Sequence, residues 1–184
     1  MSKEREFSVV DPSFGGHSHM PAIAAGTTAP DFSLPVLEGK TFNLKEALAR
    51  GPVVLAFFKV SCPTCQYALP FLERIFKAHG NGNVTVAGVS QNKPRDTAAF
   101  LKQYGVSFPV LLDDIDSYPV SNAYGLTNVP TIFWIAPDGE VEVSSVGWVK
   151  QDIDEINRRA ARAVGQDTIP VFHSGEQVLD FRAG

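Results

Sequence analysis

Residues 53–58 read VVLAFF, an unbroken apolar run closed in front by Gly51-Pro52 and followed four residues later by Cys62. A run so short, rich in Val and Phe, fits a strand buried on both faces of a sheet, since a strand with one wet face would alternate polar and apolar residues. Such a strand needs neighbours beside it and cover on both faces, so it points to a layered α/β domain.

The flanking segments supply those parts. After Cys65, residues Ala68, Leu69, Leu72, Ile75 and Phe76 recur at helical spacing as far as His79-Gly80, which predicts a helix carrying Cys65 in its first turn. NVTVAGVS (83–90) predicts a strand, PRDTAAFLKQYG a helix closed by Gly105, and FPVLLD a short strand, in β-α-β alternation. VPTIFWIAPDGEVEVSSVG (129–147) predicts an antiparallel hairpin turning at Pro137-Asp138-Gly139. QDIDEINRRAARAVG then predicts a closing helix with Ile153, Ile156, Ala160 and Val164 on one face. Ahead of the central strand, DFSLPVL and KTFNL, joined by Glu38-Gly39, predict an extra hairpin, and KEALAR a short helix. The expected fold class is α/β, a central mixed β-sheet flanked by helices with an N-terminal β-hairpin extension.

At 184 residues and 44% hydrophobic, the chain is long enough for one core and short for two. The expected division is an N-terminal arm over 1–25, one domain over 26–165 and a C-terminal tail over 166–184, in which TIPVF and QVLDF each suit a short strand or extended packing. A net charge of -4 and no run of like charges argue against a nucleic-acid partner. PVVLAFF is too short to span a bilayer, and MSKEREFSVVDPSFGG lacks the apolar centre of an export signal, so no membrane association and a cytoplasmic location are expected. The oligomeric state leaves no mark that can be read.

Cys62 and Cys65 are the chain's two cysteines, set as CPTC. A structural crosslink, half of a metal site and a redox pair are the three uses to separate. A reducing cytoplasm and a chain of this size disfavour the crosslink. A structural zinc takes four ligands, and no second Cys or His pair exists. The histidines are His17, His19, His79 and His173, of which HSHM alone is clustered, so neither metal nor cofactor is expected. Two cysteines three residues apart at a helix start fall within the ~4.4–6.8 Å Cα separation that a disulfide requires. Cys62 precedes the first turn, where unpaired N–H groups and the positive dipole end favour a thiolate. Pro63 suits the first helical position, and Thr64 is expected to leave the approach to Cys62 open.

VVLAFFKVSCPTC, Pro70 five residues after Cys65, VPT at 129–131 and VGW at 146–148 together resemble the thioredoxin-like superfamily over residues 26–164. GTTAPDFSLPVLEGKTFNL resembles the opening of its redoxin branch (AhpC/TSA), which includes the TlpA/CcmG-like thiol-disulfide oxidoreductases and the peroxiredoxins. The resemblance implies a thioredoxin-like fold with Pro130 as a cis-proline facing the cysteines, cis bonds being mostly a proline property. It implies further that the Val129 backbone, with Thr131 next in the motif, is free to pair with an extended substrate. Gly147 would be the small residue beside that groove, and Trp148 either an apolar contact at its rim or a core aromatic. Two departures stand out: Ser61 replaces the usual tryptophan, and Ala56 replaces the buried acid that accepts a proton during resolution. Lys59 is either a cation that lowers a thiol pKa or a solvated charge at the strand end.

The activity implied is thiol-disulfide exchange through a Cys62-Cys65 disulfide, with Cys62 attacking and Cys65 resolving. Partners would be a disulfide- or dithiol-containing protein and a thiol electron donor. A peroxidase of the same branch would carry a hydroxyl and an arginine where this chain has Lys59 and Pro130, which shifts the balance towards exchange. A redox-sensing or metal-binding module, with Phe172, Val178, Leu179 and Phe181 as contacts, is the non-enzymatic alternative.

Overall fold

The structure, a computed structural model, describes residues 21–80 and 82–184. In chain order the elements are β1 (Ser33–Pro35), β2 (Thr41–Asn43), α1 (Leu44–Leu48), β3 (Val53–Phe58), α2 (Pro63–His79), β4 (Thr85–Ser90) and α3 (Pro94–Tyr104). There follow β5 (Val110–Leu112), α4 (Pro119–Ala123), β6 (Thr131–Ile135), β7 (Val141–Val146), β8 (Trp148–Val149), α5 (Lys150–Ala163) and β9 (Phe181–Arg182).

The apolar run forms β3, the middle strand of a five-stranded sheet ordered β5-β4-β3-β6-β7. β3 runs parallel to β4, and β4 to β5, while β6 is antiparallel to β3 and to β7. Alternate β3 residues feed two cores, which is why no position in it is polar. Val54, Ala56 and Phe58 pack with α2, with Phe100 of α3 and with Ile153, Ile156 and Ala160 of α5. Val53, Leu55 and Phe57 pack with α1, with Leu34 of the β1–β2 hairpin and with Val120 of α4. All six are fully buried, each large side chain stabilising the fold by about 1.5–3 kcal/mol. Strand β7, at the sheet's edge, alternates buried and exposed residues as VEVSSV reads.

Three segments differ from their sequence patterns. Helix α4 was not anticipated: five residues carry no period, and its start is held by a distant cap, Asp113, whose carboxylate accepts the Val120 and Ser121 N–H groups and the Ser121 hydroxyl. TIPVF forms no strand and bends at 171–172 with Val171 buried, and of QVLDF the last residue alone joins a strand, β9. Residues 21–30 already pack on the body, Gly26 N–H donating to Val141 O (2.8 Å) and Ala29 N–H to Gly139 O (2.8 Å). The remainder of the expected arm, with His17 and His19, lies outside the described residues. Among those residues no helix is long and apolar enough to cross a membrane.

Candidate active site

Strand β3 ends at Phe58 and hands the chain to a tight turn in which Cys62 N–H donates to Lys59 O (3.2 Å). Val60 N–H donates to Asn92 Oδ1 (2.9 Å) and Gln66 Nε2 to Val60 O (2.9 Å), so both arms of the turn are tied down. Cys62 is the N-cap of α2, with extended backbone (φ −83, ψ 115) and Pro63 behind it at the helix start. Its Sγ accepts the Cys65 N–H at 3.2 Å and donates to Val129 O at 3.2 Å. Negative charge on this sulfur is met by the unpaired N–H groups of a helix start. Both cysteines are free thiols, Cys62 half-buried and Cys65 fully enclosed. Burial pushes the Cys65 thiol far above its ordinary value, and the hydrogen bond with Cys62 adds to the shift. Pro70 interrupts α2 two turns on, where its missing N–H removes a helical bond.

The loop facing Cys62 comes from the start of β6. The Val129–Pro130 peptide is cis. Thr131 is fully buried, and its hydroxyl donates to Asn128 O (2.7 Å), so it braces the loop and does not line a groove. Gly147 N–H donates to Pro130 O at 2.7 Å, which joins the β6 start to the β7 end. Gly147 sits at φ +76, the left-handed region that glycine occupies without strain.

The tail changes the role of four expected residues. Strand β9 pairs antiparallel with β8, Trp148 opposite Arg182 and Val149 opposite Phe181. Trp148 is therefore not at a rim: it is fully buried, with Nε1 donating to Leu179 O (2.6 Å) and its ring against Tyr67, Phe71 and Phe172. Thr64 does not leave the approach open, since its hydroxyl donates to Ala183 O (2.6 Å) and the residue is 4% exposed. Gly147 does border a polypeptide, but it is this chain's own, because a Cβ there would lie 2.6 Å from Arg182 O. The carbonyl of Val129 is not free: it receives Cys62 Sγ, and a Cβ on Gly184 would collide with it.

On the other side of Val129, Lys59 borders a pocket of about 240 Å³ with Gln91, Tyr118, Ser121, Asn122 and Asn128. The Lys59 ammonium lies 5.7 Å from the centre of the Tyr118 ring, a cation over an aromatic face. Ala56 is fully buried in β3, and among the described residues no carboxylate or imidazole is hydrogen-bonded to either sulfur. The buried acids are occupied elsewhere: Glu73 accepts from Ser107 and Phe108, and Asp113 caps α4. Among the described residues no cluster of three His, Cys, Asp or Glu side chains offers a metal site. Sequence reasoning missed Asn128, Tyr67 and the last four residues as neighbours of the site. The apolar residues of QVLDF were the one available sign that the tail packs on something.

Comparison with known proteins bears on the family and the fold. The AhpC/TSA family profile matches residues 25–144, more than half of the chain. The thiol-disulfide oxidoreductase ResA of Geobacillus thermodenitrificans is 32% identical over 136 residues, covering 73% of this chain and 76% of that protein. ResA of Halalkalibacterium halodurans is 34% identical over 133 residues, covering 71% and 74%. Among solved structures, a putative thiol:disulfide interchange protein DsbE from Chlorobium tepidum superposes with a TM-score of 0.68 at 26% identity, covering 78% of this chain and all of that one. The fold is thioredoxin-like.

Proposed function

The chain belongs to the AhpC/TSA family and is a thiol-disulfide oxidoreductase, and on that premise we propose that Cys62 is its attacking cysteine and Cys65 its resolving one. The observation that carries this order is the asymmetry of the pair: Cys62 is only partly buried at the start of α2, and Cys65 is fully buried in the first turn behind it. The Cys62 thiolate attacks one sulfur of a protein disulfide, forming a mixed disulfide and releasing the other sulfur as thiolate. Cys65, having lost its proton, attacks Cys62 Sγ, which frees the second substrate sulfur and leaves a Cys62-Cys65 disulfide. Two electrons have then passed from the pair to the substrate, and an external thiol donor returns them. Run backwards, the same steps oxidise a dithiol, and the pair's reduction potential against its surroundings sets the direction.

The residues around the pair have supporting parts. Pro63 starts the helix that receives charge on Cys62, and the Val129–Pro130 loop holds an acceptor against its sulfur. Lys59, engaged with the Tyr118 ring, supplies a cation to the pocket beside the pair. The cytoplasm is the proposed compartment, supported by a chain whose only cysteines are this pair. Recovery of the native protein in an exported or membrane fraction would overturn that assignment.

The activity test is reduction of insulin by dithiothreitol. The protein accelerates it, and Cys62→Ser returns the rate to background, a drop of about a thousandfold or more in kcat/KM. Cys65→Ser still forms the first mixed disulfide, which accumulates and is visible by mass. Rapid peroxide consumption with a thiol donor, without insulin reduction, would overturn the assignment.

A further inference from the structure

We propose that residues 181–184 form a displaceable strap seated where a polypeptide substrate binds, and that a protein substrate reaches Cys62 by taking its place. The inference rests on the thiol-disulfide reading above and adds how access to the same site is controlled.

The segment lies where the chemistry occurs. Its backbone crosses Gly147 so closely that a Cβ there would sit 2.6 Å from Arg182 O. Ala183 O takes the hydroxyl of Thr64, the residue between the two cysteines' helix start and Cys65, and Gly184 rests on the Val129 carbonyl that also receives Cys62 Sγ. A length of polypeptide therefore fits beside the Val129 carbonyl that holds Cys62, and one is already there.

How it is held differs from how the rest of the tail is held. Upstream, side chains fasten the tail: Arg74 forms a two-pronged pair with Glu176 (2.8 Å for each contact) and donates to Val171 O, and Asn157 donates to Ile169 O. Leu179 is clamped through both backbone groups, its N–H on Tyr67 Oη (3.0 Å) and its carbonyl on Trp148 Nε1 (2.6 Å). Past Asp180 the hold is of another kind. Strand β9 pairs through its backbone over two residues, Ala183 and Gly184 present carbonyls to Thr64 and to Asn128, and Phe181 leaves 63% of its surface exposed. Backbone groups of any extended chain could make those bonds, so a substrate segment can replace 181–184 without needing its side chains. Leu179 is the hinge at which the two modes meet.

The test compares the full chain, a chain stopped after Asp180, and full-length Gly184→Val, whose side chain would collide with Val129 O and lift the strap while leaving its length intact. Each is assayed on insulin and on 5,5′-dithiobis(2-nitrobenzoate), a disulfide too small to need the seat. The expected result is a rise of at least tenfold in kcat/KM for insulin in both altered chains, with less than a twofold change on the small disulfide. Unchanged insulin rates, or equal acceleration on both disulfides, would overturn the strap while leaving the exchange activity intact. Absence of activity on either disulfide in all three chains would instead strike the underlying reading. Should the shortened chain lose cooperative melting, Gly184→Val decides alone.

Discussion

On the Gly147 side of Cys62 the protein packs aromatic rings and its own tail, whereas on the Lys59 side it leaves a pocket of about 240 Å³ lined by amide and hydroxyl side chains. The loop at 128–130 is the wall between them. On the closed side Trp148 meets Tyr67 edge-on at 4.9 Å and Phe71 at 4.8 Å, and Cys65 belongs to the same apolar cluster. On the open side Gln91 donates to Ser121 and Asn122 to Ser117, bonds that water can replace. The difference explains why two cysteines three residues apart meet different surroundings. One sulfur stands at the boundary; the other is enclosed in a dry core where its charged form is costly.

The largest expected effect tests that contrast directly. Trp148→Ala removes a fully buried ring and the Leu179 anchor together, and should destabilise the protein by about 3–5 kcal/mol in urea unfolding. Asn122→Ala, across the wall, should stay within about 0.5 kcal/mol. Equal losses would erase the distinction between the sides.

A smaller effect follows from the enclosed thiol. Because the folded protein holds Cys65 protonated above its unfolded pKa of ~8.5, the folded state keeps a proton that the unfolded chain gives up. Stability is thus fully present below about pH 8.5 and falls above it, by at most about 1.4 kcal/mol per pH unit from this group. Tyr124, also pushed up by burial, adds a similar loss nearer pH 10, so the difference between the protein and Cys65→Ser in denaturation between pH 8 and 9.5 reads the Cys65 contribution. The rate at which Cys65 resolves a preformed mixed disulfide should rise about tenfold per unit from pH 7 to 9. A profile that levels off near pH 8.5 would mean that the folded protein does not hold the Cys65 thiol above its ordinary value.

The smallest effect lies where the tail is fastened. The Arg74 guanidinium, and then the His173 N–H, lower the Glu176 carboxyl to about 2. Its contribution is present above the ordinary carboxylate range and is lost as pH falls through about 2. The pair is partly open to water, so Glu176→Gln should cost about 0.5–1 kcal/mol at neutral pH, and less in high salt. Hydrogen exchange at Leu179 should rise with it, since the same upstream stretch of tail carries both contacts; no change there would separate the Glu176 anchor from the Leu179 clamp.

Much of this was legible beforehand, for reasons that differ along the chain. VVLAFF announces a doubly covered strand because burial on both faces permits no polar residue, and CPTC before an apolar period of 3.6 places one cysteine at a helix start. Helix α4 escaped because Asp113, not a residue of its own first turn, caps it. Thr64 read as leaving the approach open, and Trp148 as undecided between rim and core, because nothing near them in the chain competes for the space.

The central strand, its flanking long helices, the cysteine pair and the place of Cys62 at a helix start were written in the sequence, since periodicity, proline and cysteine spacing are properties of a continuous stretch. Tertiary structure alone decided what lies over the pair. Thr64 and Ala183 are 119 residues apart, and no local preference expresses a hydrogen bond that exists only once the tail has folded back across Gly147.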